Sequence, residues 1–276
     1  MRPFFGFVSS RICDFTVGGM FMWRDFYKMK FAVEDSTFFS KMTFPDGGEF
    51  FLLPLSPDTE RSVKRLIENE NGHVNFAVIP EEYVPMLLKI CPDANVKEQT
   101  DFADYLYNAG DLITLEGRKY SGQRNLINQF RRSAPNYTVT DADDVSPDEF
   151  ADFLQNVYRE DKNANSEEKN ENREVLEVIQ NRALYGMIGC ALFSDGRMLG
   201  FSLGEKRGDT LYTHIEKADR SVNGAYQTLV NEFSSRYGAD VKYINREEDM
   251  GDAGLRRAKL AYHPTAMLKK YTIEVH

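Results

Sequence analysis

The feature that most constrains this chain is an order of elements that occurs twice. In each half, hydrophobic periodicity and turn residues read as helix, three short strands, helix, strand, helix and strand. In the first half, Asp14 to Lys28 reads as a helix carrying Met20, Phe21, Trp23, Phe26 and Tyr27. The runs KFAV, STFFSKM and EFFLLPL follow as strands, with Asp46-Gly47-Gly48 as a hairpin signal. Pro57-Asp58 opens a helix to about Glu70, closed by Asn71-Gly72. VNFAVIP then reads as a strand, EEYVPMLLKIC as a helix and NVKEQ as the start of a strand.

The second half repeats this grammar. SPDEFADFLQNVYRED and SEEKNENREVLEVIQNRALY read as helices, the first opened by Ser146-Pro147. MIGCALFS, RMLGFSLGEK and DTLYTHIEK read as strands separated by Asp195-Gly196 and Gly208-Asp209 turns. A helix from Gly224 to Arg236, a strand VKYINR, a helix DAGLRRAKLAY and a last strand MLKKYTIEV complete it. The halves share negligible sequence identity, so the duplication rests on element order alone. A basic helix, roughly Leu115 to Ser133, joins them. The expectation is an α/β (α+β) chain with an N-terminal domain over 1–114, the connecting helix over 115–135 and a C-terminal domain over 136–276. A length of 276 residues suits two domains of ordinary size.

With 42% hydrophobic and 28% charged residues, the composition excludes disorder and collagen-like repeats. The net charge of −9 is unevenly placed, because residues 141–174 alone carry −8. Acidity is thus a local solvated face, which argues against wholesale nucleic-acid binding and, without a recognition motif, against DNA. Cys13, Cys91 and Cys190 are far apart and the four His are scattered, so neither a disulfide framework nor a metal site is expected. PFFGFV near the start is too short for a signal segment, and no run approaches a membrane span. A cytoplasmic protein is expected, with peripheral membrane contact left open.

The second-half order resembles that of the GNAT acyltransferase fold. Three local strings sharpen the likeness: Asp104–Phe130 (DYLYNAGDLITLEGRKYSGQRNLINQF), His214–Phe233 (HIEKADRSVNGAYQTLVNEF) and Tyr243–Pro264 (YINREEDMGDAGLRRAKLAYHP). Together with MFMWRDFY at 20–27, they are similar to the family of the C-terminal domain of lysyl-phosphatidylglycerol synthases. That resemblance implies two tandem GNAT-like domains, each a mixed, mostly antiparallel sheet flanked by helices. It also implies kinship with Fem-type aminoacyltransferases, which use aminoacyl-tRNA as donor. The chain differs from the synthases in carrying no transmembrane portion, so lipid lysylation is not carried over.

Four constellations could carry chemistry. The first is the junction from Glu216 through Lys217, Arg220 and Gly224 to Tyr226, a polar turn before a helix that can aim backbone N–H groups at an anion. In GNAT enzymes this place cradles the donor's pyrophosphate; the plainer reading is a helix N-terminus capped by Ser221 or Asn223. The second is Glu205, His214 and Glu216 on the meander, where Glu216 or His214 could deprotonate an acceptor. A solvated sheet face or a buried ion pair is the alternative.

The third runs from Asn245 and Arg246 into the helix after Asp252, where Arg256, Lys259 and His263 fall on one stripe and Leu255, Ala258 and Tyr262 on another. The cations could grip a phosphate or carboxylate, or pair with Glu247, Glu248 and Asp249. By the GNAT resemblance, Tyr262 sits where a tyrosine protonates a departing thiolate; otherwise it is a core residue. The fourth is Gly117–Arg132, with Arg118, Lys119, Arg124, Arg131 and Arg132 and no acid, fit for phosphates of tRNA or a lipid headgroup. Its alternative is a scaffold helix facing the acidic stretch.

Two functions follow. One is an acyl- or aminoacyl-transferase with no permanently bound cofactor, taking acyl-CoA or aminoacyl-tRNA as co-substrate and an amine or hydroxyl acceptor on a small molecule, lipid or peptide. The other is a non-catalytic ligand-binding or sensor protein on the same duplicated fold.

Overall fold

The computed structural model describes residues 2–158 and 166–276. The strands are β1 (Lys30–Glu34), β2 (Thr37–Thr43), β3 (Glu49–Phe51), β4 (Val74–Pro80), β5 (Asn95–Glu98), β6 (Asp104–Asn108), β7 (Thr138–Asp141), β8 (Ile188–Ser194), β9 (Arg197–Arg207), β10 (Thr210–Ala218), β11 (Tyr243–Asn245), β12 (Ala266–Leu268) and β13 (Lys270–Val275). The helices are α1 (Arg2–Phe5), α2 (Val17–Trp23), α3 (Thr59–Asn69), α4 (Val84–Ile90), α5 (Ala109–Thr114), α6 (Ser121–Ser133), α7 (Pro147–Tyr158), α8 (Ser166–Gln180), α9 (Arg182–Tyr185), α10 (Ala225–Tyr237) and α11 (Ala253–Leu260).

The chain divides into two compact units, Met1–Asp104 with Glu248–Gly251 and Met267–His276, and Tyr105–Glu247 with Asp252–Ala266. In the first unit, Asp35 and Ser36 take positive φ and fold β1 back onto β2. This is the backbone twist that a two-residue hairpin needs. β3 continues the meander after the Asp46-Gly47-Gly48 turn. The Asp58 carboxylate accepts from Arg61 N at 3.0 Å and starts α3, which buries Val63 and Leu66. β4 then returns parallel to β3. The sheet order is β1-β2-β3-β4-β13-β5.

The second unit is built the same way. β8, β9 and β10 form an antiparallel meander, α10 follows, and β11 lies parallel to β10. The sheet order is β12-β6-β11-β10-β9-β8-β7. Its core holds Tyr120, Phe130, Leu229 and Phe233, while Phe150 and Phe153 pack edge-on against Phe201. Burying each such ring contributes on the order of 2–3 kcal/mol. No helix among the described residues is long and apolar enough to cross a membrane.

Four departures from the sequence reading bear on where the site residues fall. The helix expected over 14–28 is a 3₁₀ turn at Cys13–Phe15 followed by α2, because the Thr16 hydroxyl accepts from Gly19 N and restarts the helix there. The basic helix expected from Leu115 is α6 alone, since Leu115 takes positive φ and ends α5. β6 and β7 had no strand assigned to them. Finally, the MLKKYTIEV strand is two strands, and β13 pairs antiparallel with β4 and β5 rather than completing the sheet of its own half. The acidic residues between 158 and 173 lie outside the described side chains.

Candidate functional site

In the second unit, the strand-to-helix junction comes together around Arg246, at the end of β11. Its Nε lies 3.2 Å from each Glu216 oxygen, and its Nη2 donates to Glu216 Oε2 at 2.7 Å. Tyr226 Oη donates to the same carboxylate at 3.0 Å and accepts from Arg246 Nη2 at 2.7 Å. The guanidinium carbon sits 4.8, 5.7 and 5.8 Å from the rings of Tyr262, Tyr107 and Tyr226. Such stacking suits arginine's weakly hydrated plane. Burial opposes the charge, but Glu216 and the tyrosines outweigh it and hold Arg246 protonated.

Arg246 and Tyr262 are each 2% exposed, yet Arg246 Nη1 and Tyr262 Oη have no hydrogen-bond partner among the described residues. Both groups can donate, so each is a buried donor open to an acceptor oxygen. Glu216, expected as a base, has its oxygens engaged by Arg246 and Tyr226.

His214 lies where β10 gains one residue against β9, between Thr213 and Ile215. That bulge interrupts the alternation on which a shared polar face depended. Its Nδ1 is 2.6 Å from Glu247 Oε1 and its Nε2 3.1 Å from Glu205 Oε1. Burial disfavours the charged ring, but hydrogen bonds to Glu205 and Glu247 win and push its pKa up to about 10. At neutral pH the ring is an imidazolium with no lone pair to accept a proton.

The other expected residues take structural positions. Gly224 has φ +80°, and a Cβ there would fall 2.2 Å from Leu126 O, so glycine lets α10 pack on α6. α10 has no side-chain cap; Asp219 instead holds the turn, accepting from Ser221 N at 2.9 Å, while Asn223 bonds Gln129. Arg220 is exposed and Lys217 half-buried. Asn245 accepts from Glu247 N at 2.7 Å.

The expected cationic stripe of α11 is overturned at Lys259. It is buried, donating to Arg246 O at 2.6 Å and facing the Tyr105 ring, while Leu255 points outward. Arg256 is half-buried. Arg124 donates to the carbonyls of Leu115 and Gly117 and braces the turn before α6. Arg118 and Lys119 remain exposed, Lys119 pairing with Asp111 at 3.3 Å.

The first unit holds a site that the sequence reading missed. Lys270 Nζ, buried at the start of β13, lies 2.6 Å from Asp14, 2.7 Å from Asp104 and 3.2 Å from Glu248. Cys13 N donates to Asp104 Oδ2 at 2.6 Å, and Cys13 Sγ is 3.5 Å from both Asp104 and Glu248. Cys13, Asp104 and Glu248 are grouped as metal ligands would be, but the Lys270 ammonium stands among them as the cation. Burial pushes the Cys13 thiol well up, reinforced by Asp104, so it stays protonated and inert.

Burial likewise raises Asp14, and raises Asp104 to about 7 against the opposing pull of Lys270. Lys270 stays protonated because the carboxylates outweigh its desolvation. Asp14, Glu248 and Lys270 form the polar end of a cavity walled by Trp23, Tyr27, Phe44 and Phe102, with Gln99 and several methionines. Gln99 is fixed by accepting from Val78 N at 3.0 Å. α2 can begin beside this site because residue 19 is glycine, whose Cβ would otherwise fall 2.3 Å from Cys13 O.

Each unit repeats a meander, a helix and a strand parallel to the last meander strand, the mixed, mostly antiparallel sheet with flanking helices expected from the sequence. The chain belongs to the family described as phosphatidylglycerol lysyltransferase, C-terminal, whose model matches residues 5–274. A crystal structure of a conserved protein of unknown function from Bacteroides thetaiotaomicron is 30% identical, with 100% of this chain and 96% of that one covered and a TM-score of 0.86. L-PGS from Bacillus licheniformis shares the fold at 14% identity, covering 99% of this chain and 90% of that one, TM-score 0.66. An uncharacterized protein of Mycoplasmoides gallisepticum is 24% identical over 178 residues, which span 62% of this chain and 56% of that protein.

Proposed function

We propose that this protein is an aminoacyltransferase that moves an aminoacyl group from an activated ester onto a hydroxyl or amine acceptor. The carrying observation is the polar end of the first unit's cavity, where Asp14, Glu248 and the adjoining Asp104 face one ammonium, that of Lys270. An excess of carboxylates in an aromatic-walled cavity suits the cationic amine of an aminoacyl group and disfavours a neutral acetyl group. Family membership supports the same direction, because the family carries the name of a lysyltransferase. The donor that fits is aminoacyl-tRNA, with exposed Arg118, Lys119, Arg131 and Arg132 on and beside α6 offering a phosphate surface.

In the reaction, the acceptor oxygen or nitrogen forms a bond to the acyl carbon as the ester C–O bond to the donor breaks. Asp14, raised by burial, takes the acceptor's proton and returns it to the leaving oxygen. The Lys270 ammonium stabilises negative charge developing on the carbonyl oxygen. Acyl-CoA is the alternative donor, and the crowding at Gly224, where a CoA pyrophosphate cradle was expected, counts against it.

Calorimetric titration with amino-acid amides and with acetyl-CoA tests this reading, alongside transfer assays with charged tRNA. An amide should bind, and Asp14→Asn should weaken it about tenfold and slow transfer at least a hundredfold while leaving the circular dichroism unchanged. Turnover of acetyl-CoA with no amide binding would replace this reading with ordinary acyl transfer. Amide binding with no transfer from any charged tRNA would favour a sensor.

A further inference from the structure

β1 is the outer strand of the first unit's sheet, and all five of its residues are exposed. Phe31 is 37% and Val33 62% exposed, a large apolar exposure for an edge strand. Phe31 stacks on Phe38 at 5.5 Å, Phe38 meets Phe4 at 5.7 Å, and Phe4 meets Phe7, itself 41% exposed. The strand's apolar side chains therefore continue into an aromatic patch. β1 has no proline and no bulge to keep another strand away, and its only charges, Lys30 and Glu34, stand at its two ends.

The sequence of β1, Lys-Phe-Ala-Val-Glu, is complementary to itself when paired antiparallel about Ala32. Lys30 then faces Glu34 of a second copy, Phe31 faces Val33, and Ala32 faces Ala32. The backbone permits that register. A two-residue turn closes on a pair that exchanges both hydrogen bonds, here Glu34 and Thr37, so Ala32 and Lys30 also face β2. Phe31 and Val33 therefore turn their N–H and C=O groups outward, and about Ala32 these are the groups that meet. Lys30 opposes Lys41, which is taken by Glu49 at 2.6 Å, and Lys30 has no carboxylate in ion-pair reach among the described residues. Glu34 is held by Arg65 at 3.0 Å, which orients it while leaving its second oxygen open to a lysine.

We propose that the protein self-associates as a two-fold dimer in which β1 pairs antiparallel with β1 of a second copy, joining two six-stranded sheets into one. The charge pattern fixes the partner as a second copy: each end of the strand carries the charge that the other end requires.

Sedimentation equilibrium over a concentration series tests this with four chains: unchanged, Lys30→Glu, Glu34→Lys and the double exchange. The unchanged chain should dimerise. Each single reversal should weaken the dimer about tenfold or more by placing like charges opposite, and the double exchange should restore it. Both substituted positions are exposed, and melting curves verify that the fold is kept. Ala32→Cys tests the register separately. Facing Ala32 residues form a non-hydrogen-bonded pair with Cα atoms about 4.5 Å apart, inside the range a disulfide spans. Oxidation should give a covalent dimer linked through residue 32. A monomer at every concentration would overturn the proposal, as would a dimer indifferent to both single reversals.

Discussion

His214 and Asp104 illustrate how burial and partners set charge at single residues. His214 is raised to about 10, so its charged form is favoured by folding; that stabilisation is complete below the unfolded value near 6.5 and is lost as pH rises through about 10. The His214 ring proton resonances should not titrate between pH 5 and 8, and denaturant midpoints should fall from pH 6.5 to 10 in the native chain but not in His214→Asn. A ring titrating near 6.5 would show that the Glu205 and Glu247 contacts are not kept in solution. Asp104, raised to about 7, has the same sign: folding favours its protonated form, so its contribution is full below about 4 and is lost as pH rises through 7. Asp104→Asn should remove that loss. A ligand ammonium at the cavity requires ionised carboxylates, so amide binding should tighten as pH rises through about 7 and become flatter in Asp104→Asn. Binding that weakens over that range would mean that the cavity prefers an anion.

Elements differed in how far the sequence disclosed them, for physical reasons. VNFAVIP became β4 residue for residue, and α3 fell between its Asp58 cap and Asn71-Gly72, because a continuous apolar run and a capped amphipathic run are local signals. β7 is a four-residue TVTD with two half-buried positions, too short to show a period. α11 inverted the expected stripe because Lys259 finds a carbonyl and an aromatic face inside, compensation that only a folded neighbour can supply. The second unit's Glu216–Arg246–Tyr226 group was legible in part, since all three residues were singled out, but their mutual engagement was not. The first unit's site was not legible at all. Asp14 read as the start of a helix and Lys270 as one lysine of a KK pair on a strand, and the 3₁₀ turn and the pairing of β13 that bring them together leave no periodic trace.

For the whole molecule, the most consequential departure is where the last strand of each half goes. β6 follows β5 in sequence but sits beside β11, and β13 follows β12 but sits between β4 and β5. Lys270 pairs with Pro80 and Tyr271 with Glu98, so the first sheet is split until the final residues of the chain arrive. Lys270 also brings the ammonium that neutralises Asp14 and Asp104; without it, buried carboxylates would stand unpaired, a cost of several kcal/mol. Loop closure over so long a separation makes the pairing slow as well as late. A fragment of residues 1–104 should therefore lack a cooperative thermal transition, and so should the chain truncated before Met267 in its first unit. Adding a peptide of residues 266–276 should restore the transition to the truncated chain, whereas the same peptide with Lys270→Ala should restore it poorly. A cooperative transition in the 1–104 fragment alone would show that β4 and β5 make a stable sheet without β13, and that the exchanged strand serves the site rather than the fold.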